Sequence, residues 1–244
     1  MLKTCSLTDI GRKRKVNQDY IYASEQPVGN LPNLFIVADG MGGHKAGDYA
    51  SKYAVETICN VAEHSFEKNP AVLLNRAIDA ANEHIRMKAG EDESLQGMGT
   101  TVVAAICTGK YLQVANVGDS RLYIVGKEIR QITQDHSLVA EMVRAGVIDK
   151  ELARNRQDKN IITRAVGASE TVEVDFFTVE LQEDDMVLLC SDGLTNMLKD
   201  EEILTIIQSQ KDITDRAHAL VFAANERGGK DNISVVLIEP FADK

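Results

Sequence analysis

The chain contains the segment Leu34-Phe-Ile-Val-Ala-Asp39-Gly40, a short apolar run that ends in an aspartate and a glycine. The run has the length of a buried β-strand, and the glycine indicates a turn where the strand stops. A carboxylate at a strand end can leave the apolar interior while its backbone stays in the sheet. The segment therefore predicts a buried strand over 34–38 that presents Asp39 at the edge of the core.

Other aspartates adjoin apolar runs or turns in a similar way: Asp119 after Val114-Ala-Asn-Val-Gly, Asp192 after Val187-Leu-Leu-Cys-Ser, Asp231 before Asn232-Ile-Ser-Val-Val, and Asp19 in Asn17-Gln-Asp-Tyr. Any one of them alone could be an ordinary turn residue, because aspartate and glycine are common in turns. Five converging carboxylates would repel one another unless cations lay between them. Oxygen ligands favour Mg²⁺ or Mn²⁺, and scattered histidines without a C-x-x-C or H-E-x-x-H motif argue against zinc.

Helical and strand patterns alternate in blocks along the chain. Apolar positions at helical spacing follow Gly47 and again follow Asn69-Pro70, where asparagine suits an N-cap and proline the first turn; Gly90 is the expected end of the second helix. Strands joined by short turns then fill 101–132, and connections this short require antiparallel pairing. These blocks predict an α+β fold, and the lack of a Pro/Gly/Ser-rich linker predicts a single domain over 1–244.

Composition excludes several classes of protein. A net charge of −10 and a pI of about 5.0 argue against binding to nucleic acid or to a membrane surface. No apolar run reaches the length of a signal peptide or a membrane span. Four scattered cysteines fit reduced thiols, so we expect a cytoplasmic location. The cluster Arg12-Lys13-Arg14-Lys15 is short, and apart from Arg14 it is interpreted as a solvated turn.

Eight motifs occur in a fixed order: Gly11-Arg-Lys-Arg14-Lys-Val-Asn-Gln-Asp19, Val37-Ala-Asp39-Gly-Met-Gly-Gly43, Gly97-Met-Gly-Thr-Thr101, Val117-Gly-Asp119-Ser-Arg121, Asp135-His-Ser137, Ile162-Thr-Arg-Ala-Val-Gly167, Ser191-Asp192-Gly193 and Asp231-Asn232. In these motifs the chain resembles the PPM, or type 2C, metal-dependent protein serine/threonine phosphatases, in particular their compact bacterial members. The resemblance covers nearly the whole chain. It implies a four-layer α-β-β-α sandwich of two antiparallel sheets flanked by helix pairs.

The resemblance also implies the metal ligands. Asp39 would bridge two ions, Asp192 and Asp231 would complete the first site, and Asp19 with the carbonyl of Gly40 would serve the second. Asp119 together with Asp192 matches a third ion site of bacterial members. Two Mn²⁺ or Mg²⁺ ions would lower the pKa of a water between them and shield the anionic phosphoryl group.

Two further residues receive catalytic roles. Arg14 matches the phosphate-binding arginine of the family, and its guanidinium fork fits two phosphoryl oxygens at once. The family's eukaryotic members carry histidine directly after Asp-Gly, where this chain has Met41. Nearby His44 is therefore a candidate general acid for the leaving alkoxide, with a surface or structural histidine as the alternative.

The segment 147–161 corresponds to the family's variable flap, and it has Arg156-Gln157 where bacterial relatives usually have His-Pro. We expect phosphoprotein substrates, an opposing bacterial serine/threonine kinase and a monomeric protein. Polar residues within the motifs are expected to orient the aspartates by hydrogen bonds: Thr101, Ser120, Ser191 and Asn232.

Alternative functions fit the sequence less well. A two-metal nuclease or a phosphatase of small phosphoesters would use the same ions, although the acidic pI disfavours a nuclease. A cysteine phosphatase is excluded, since no cysteine begins a C-x₅-R motif, and the Gly42–Gly47 stretch lacks the Lys-Ser/Thr of a P-loop. A catalytically silent regulatory module of the same fold would be expected to lose metal ligands, and all five aspartates are present.

Overall fold

The computed structural model describes residues 2–43 and 46–242. Its strands are β1 (Lys3–Asp9), β2 (Asp19–Ser24), β3 (Leu34–Met41), β4 (Gly99–Thr100), β5 (Val102–Thr108), β6 (Tyr111–Val117), β7 (Arg121–Val125), β8 (Ile129–Gln131), β9 (Asp175–Glu180), β10 (Met186–Cys190) and β11 (Ile233–Glu239). Its α-helices are α1 (Ala46–His64), α2 (Pro70–Glu91), α3 (Leu138–Arg144), α4 (Lys150–Asn155), α5 (Asp192–Thr195), α6 (Asp200–Ser209) and α7 (Ile213–Glu226), with a 3-10 turn at Glu93–Leu95.

The strands form two sheets in which every pair of neighbours is antiparallel. The first sheet has the order β1-β11-β10-β7-β8, and the second has the order β2-β3-β5-β6-β9 with β4 attached to β3. Strand β1 pairs with β11 from Lys3 opposite Glu239 to Asp9 opposite Ile233, so the two ends of the chain meet. The predicted α+β class with two antiparallel sheets is confirmed.

Successive side chains along each buried strand point alternately to the two faces of the sheet, and this alternation produces two separate apolar layers. In β3, Phe35 and Val37 belong to an apolar cluster that also contains residues of the other sheet such as Leu122, so they lie between the sheets. Ile36 and Ala38 belong instead to the cluster formed with α1 and α2. Successive side chains of a strand point to opposite faces, so a strand covered on both faces is apolar throughout.

The other sheet is covered in the same way. Its outward-facing residues, such as Leu188 and Val235, form a cluster with Ile203 of α6 and Leu220 of α7. A helix pair thus packs on the outer face of each sheet, which confirms the four-layer α-β-β-α arrangement. Within the described residues, no helix is long and apolar enough to cross a membrane. All four cysteines are free thiols, as the sequence predicted.

Most predicted elements are confirmed with small changes of boundary. The Asn69 side chain caps α2 by accepting from the backbone N–H groups of Ala71 and Val72, at 3.0 and 3.3 Å. Helix α2 ends at Glu91, one residue beyond Gly90. The strand predicted over 34–38 continues to Met41, because Gly40 and Met41 pair with the two-residue strand β4.

Two features of the fold differ from the sequence interpretation. Strands β1 and β2 were not predicted; both are edge strands, and most of their residues are only half-buried, so neither has a clear apolar run. Residues 137–156 have a helical pattern in the sequence, and in the structure they form two short helices, α3 and α4. Gly146 separates them with a φ of +71°, which a right-handed helix cannot continue through.

Candidate active site

The five predicted aspartates come together at one end of the two sheets. Asp19 and Asp39 are directly opposed in the β2–β3 pair. Cys190, the last residue of β10, is opposite Arg121 at the start of β7 and Val235 near the start of β11. The carboxylates that follow β10 and precede β7 and β11 therefore lie at the same end of the strands of the first sheet: Asp192, Asp119 and Asp231.

The raised pKa values of Asp19, Asp39 and Asp192 show that the carboxylates of the site interact with one another. Burial raises the pKa of Asp19 to about 7, and the charges of Asp192 and Asp231 act in the same direction. Burial and then the charge of Asp231 raise the pKa of Asp192 to about 6. Asp39 has a pKa well above its usual range because of burial and the charges of the other four aspartates. The site therefore holds converging carboxylates that disfavour one another's ionised forms.

Asp119 interacts with the same cluster of carboxylates. Burial raises its pKa well above the usual range, and the charge of Asp192 raises it further. The nearby guanidinium of Arg121 opposes this shift but does not cancel it. The charge of Asp119 also raises the pKa of Asp39, so the Asp119 carboxylate interacts with both Asp192 and Asp39.

The donor set fits hard divalent cations. Asp19 Oδ1 and Asp192 Oδ1 are buried and have no hydrogen-bond partner. Leaving a buried charged oxygen unpaired is costly, and a cation would compensate it. Among residues 2–43 and 46–242, no three acidic, histidine or cysteine side chains form a ready-made ligand set, and protein donors hold the second oxygen of each of these two aspartates. The unpaired oxygens are the positions that Mg²⁺ or Mn²⁺ could occupy.

Ser191 and Thr101 fix the aspartates in place, as the sequence predicted. The Ser191 hydroxyl donates to Asp19 Oδ2 at 2.7 Å and accepts the backbone N–H of Ser234 at 3.0 Å. Thr101 Oγ1 accepts the backbone N–H of Asp39 at 2.9 Å. Ser120 supports this contact through a 2.7 Å hydrogen bond to the Thr101 hydroxyl.

Asn232 holds a loop as well as the site. Its amide nitrogen donates to the carbonyl oxygens of Ile10 and Val16, at 3.0 and 3.1 Å, and its Oδ1 accepts the backbone N–H of Gln18 at 2.9 Å. These are the two ends of the β1–β2 connection, which carries Arg14. The expected contact with an aspartate is made by the backbone, since the Asn232 N–H donates to Asp231 Oδ1 at 2.9 Å, while the Asn232 side chain holds this connection.

Glycines beside the aspartates are required by close packing of the backbone. A Cβ at Gly40 would lie 1.9 Å from the carbonyl oxygen of Gly47, and one at Gly193 would lie 1.9 Å from that of Asn232. No side chain fits at either position. A glycine beside a carboxylate would also let a ligand approach closely, but at these two positions it is neighbouring backbone that approaches.

Arg14 reaches the cluster from the β1–β2 connection. Its Nη2 donates to Asp231 Oδ2 at 2.8 Å, and its side chain is 48% exposed. The guanidinium therefore lies at the open side of the carboxylate cluster, where a phosphoryl group could also reach it. The other predicted catalytic residue, His44, lies outside the described residues.

Sequence reasoning missed two residues that contact the site. Asn196 donates from Nδ2 to Asp192 Oδ2 at 2.8 Å, and Lys159 Nζ donates to Asn196 Oδ1 at 2.8 Å. The spacing of four residues between Asp192 and Asn196 is the helical signal that could have identified the first contact. Lys159 belongs to the predicted flap segment, so this segment touches the site through one intermediate side chain.

An ion pair and a histidine hydrogen bond explain two further motifs. Arg121 binds both carboxylate oxygens of Asp135, with its Nη2 2.7 Å from Oδ2 and its Nε 2.9 Å from Oδ1. His136 Nδ1 accepts the backbone N–H of Gly118 at 3.0 Å, and Nε2 then carries the proton donated to Asp175 at 3.1 Å. Burial lowers the pKa of His136, which favours this neutral form. Both pairs hold the turn that presents Asp119.

Comparison with known proteins identifies the family. The model of the family described as Protein phosphatase 2C matches residues 11–228. The chain belongs to the protein phosphatase 2C family. The serine/threonine phosphatase stp of Listeria innocua is 42% identical over 245 residues, covering 95% of this chain and 93% of that protein.

Solved structures agree with this assignment. The S. agalactiae serine/threonine phosphatase is similar with a TM-score of 0.90 and 38% identity, over 98% of this chain and 99% of that one. The catalytic domain of the phosphatase PstP, solved in complex with two manganese ions, is similar with a TM-score of 0.86 and 33% identity, over 97% of both chains. The protein phosphatase 2C member described here is a metal-dependent protein serine/threonine phosphatase of the compact bacterial type, as its motifs predicted.

Proposed function

We propose that this phosphatase hydrolyses phosphoserine and phosphothreonine at the aspartate cluster, with two divalent cations in the core of the site. The observation that carries the proposal is the pair of buried, unpaired oxygens Asp19 Oδ1 and Asp192 Oδ1 within mutually repelling carboxylates. Such an arrangement has acceptor oxygens and negative charge in excess of its donors. When bound between these aspartates, divalent cations would supply the missing positive charge, lower the pKa of a water and neutralise the phosphoryl oxygens.

The family resemblance of the motifs supplies the assignment of the ligands. We assign Asp39 to both core ions, Asp192 and Asp231 to one, and Asp19 with the Gly40 carbonyl to the other. Asp39 is the natural shared ligand, since the charges of all the other four aspartates act on it.

A third ion is assigned to Asp119 and Asp192, since burial and then the charge of Asp192 raise the pKa of Asp119. We propose Mn²⁺ or Mg²⁺ at all of these sites. The oxygen donors fit either ion. The similar PstP catalytic domain, which was solved with two manganese ions, supports the first choice.

Arg14 binds the phosphoryl group in this proposal. Its present partner is Asp231 at 2.8 Å, so substrate and the aspartate share one guanidinium. A guanidinium has five N–H donors, enough to contact two phosphoryl oxygens and retain one bond to the carboxylate. His44 remains the candidate for donating a proton to the leaving alkoxide.

The biological setting is proposed on the same basis. Phosphoproteins are the substrates, and a bacterial serine/threonine kinase supplies them. The chain acts as one domain over 1–244 in which the segment 147–161 serves as a flap, supported by the Lys159–Asn196–Asp192 contacts. A monomeric, cytoplasmic protein remains the expectation from the sequence.

Phosphate release from a phosphothreonine peptide tests the proposal. Purified protein is assayed with Mn²⁺, with Mg²⁺ and with excess EDTA, beside Asp192→Asn and the control Asp185→Asn, which lies in the turn between β9 and β10. We expect metal-dependent release that is lost in Asp192→Asn and retained in Asp185→Asn. Turnover of p-nitrophenyl phosphate without peptide turnover would instead indicate a phosphatase of small phosphoesters, and no turnover with either ion would indicate a silent module.

Two variants test the catalytic assignments. Arg14→Ala is expected to raise KM for the phosphopeptide while Mn²⁺ binding, measured by calorimetry, persists; an unchanged KM would remove Arg14 from the substrate site. His44→Gln is expected to remove one limb of the pH–rate profile. An unaltered profile would exclude His44 as the general acid.

A further inference from the structure

The β1–β2 connection carries four consecutive cations, of which only two are paired. Arg14 binds Asp231, and Arg12 lies 3.5 Å from Glu226. Lys13 and Lys15 are exposed, and neither ammonium group has an ion-pair or hydrogen-bond partner within residues 2–43 and 46–242. Two unpaired lysine side chains therefore flank Arg14, the arginine assigned to phosphate binding.

The connection is held in a defined arch. Asn232 ties its two ends together through the carbonyl oxygens of Ile10 and Val16. Its first half is fixed further, because the backbone N–H groups of Arg12 and Lys13 donate to the carbonyl oxygen of Gly229, at 2.7 and 3.2 Å. The backbone positions of Lys13 and Lys15 beside Arg14 are therefore set by the fold, and only their side chains are left free in solvent.

Lys13 and Lys15 lie beside the site in a chain that is acidic overall. The chain has a net charge of −10, so the protein as a whole repels acidic peptides. Some exposed lysines elsewhere are neutralised by acidic neighbours, as in Lys110–Glu180 at 2.7 Å and Lys88–Glu91 at 2.8 Å. Beside the site, by contrast, two lysines are available to an incoming anion.

We propose that Lys13 and Lys15 form a second anion subsite, which binds a carboxylate or a further phosphate of the substrate close in sequence to the residue being dephosphorylated. This inference rests on the proposed phosphatase function. Adjacent Cα atoms are about 3.8 Å apart, so a peptide whose phosphate is bound by Arg14 places groups two or three residues away near the flanking lysines. The subsite selects substrates that carry more than one negative charge in a short segment.

Three phosphothreonine peptides of one sequence test the subsite. The first has neutral flanks, the second has aspartates two and three residues from the phosphothreonine, and the third has a phosphoserine there. The double variant Lys13→Ala/Lys15→Ala is compared with Lys127→Ala/Lys211→Ala, which removes the same charge from exposed turns. Lys127 lies at the end of β7 that is remote from Asp119, and Lys211 lies between α6 and α7.

We expect kcat/KM to be on the order of 3- to 10-fold higher for an anionic peptide than for the neutral one, mainly through KM. This ratio should fall towards one in the Lys13/Lys15 variant and in high salt, and it should persist in the control variant. A preference for both anionic peptides identifies a carboxylate as sufficient, and a preference for the phosphoserine peptide alone identifies phosphate.

Equal kcat/KM values for the three peptides, or a preference that survives in the double variant, would overturn the subsite and leave the proposed function intact. Failure of the unaltered protein to release phosphate from any of the three peptides with Mn²⁺ would overturn the proposed function itself, and the subsite with it.

Discussion

Asp19 should make the metal-free protein less stable as the pH rises. Its pKa is raised from the ordinary 3.8 to about 7, so the folded state holds this proton more tightly than the unfolded state. The stability gained from a raised carboxyl pKa is fully present below the unfolded pKa and is lost as the pH rises through the folded pKa. The loss therefore falls between about pH 4 and about pH 7.

The size of this loss of stability follows from the shift in the pKa of Asp19. Between about pH 5.5 and the folded pKa of about 7, roughly 1.5 pKa units remain, and each unit corresponds to about 1.4 kcal/mol. The free energy of unfolding of the EDTA-treated protein should thus fall by about 2 kcal/mol from pH 5.5 to pH 8 through this one group. The Asp19→Asn variant cannot ionise and should lack this part of the decline.

Denaturant unfolding followed by circular dichroism measures the effect, since the chain has no tryptophan for fluorescence. Comparing the unaltered protein with Asp19→Asn cancels titrating groups outside the aspartate cluster such as His136, whose lowered pKa acts in the opposite direction. Equal pH slopes for the two proteins in EDTA would refute the reasoning, because Asp19 would then ionise normally. Saturating Mn²⁺ should stabilise the unaltered protein more at pH 8 than at pH 5.5, since protons compete with the ion for the carboxylates.

Three further substitutions have expected outcomes. Ser191→Ala removes the hydroxyl 2.7 Å from Asp19 and should raise the Mn²⁺ concentration for half-maximal activity about tenfold or more. Asn196→Ala leaves Asp192 Oδ2 without its donor at 2.8 Å and should have an effect of similar size in the same titration. Gly193→Ala would place a Cβ 1.9 Å from a backbone carbonyl oxygen and should lower the free energy of unfolding by about 2 kcal/mol or more.

Matched controls are available in the chain. Ser209→Ala removes a hydroxyl that donates only to a carbonyl oxygen of its own helix, and the Mn²⁺ titration should not change. An equal change in Ser209→Ala would contradict the role given to Ser191. Gly90→Ala has open space around the new Cβ within α2 and should raise helix stability by about 1 kcal/mol or less. A Gly193→Ala protein as stable as Gly90→Ala would contradict the described packing.

The sequence was sufficient to predict those strands that are covered on both faces. Runs such as Val102–Thr108 and Met186–Cys190 are apolar because helices cover one side and the second sheet the other, and this composition is visible without a structure. The N-cap of α2 was likewise local, because Asn69 contacts residues only two and three positions away. The edge strands β1 and β2 were not predicted, since half-buried strands leave a weak pattern.

The sequence by itself determined which aspartates stand at strand ends and, through eight ordered motifs, the family and the class of reaction. Only the tertiary structure decided which aspartate or which part of the chain each supporting group contacts. Ser191 binds Asp19 across 172 positions of the chain, and Asn232 joins Ile10 to Val16 from the other end of the sequence. Such contacts depend on how the ends of two sheets meet, and this meeting follows from the packing of all four layers rather than from any local spacing.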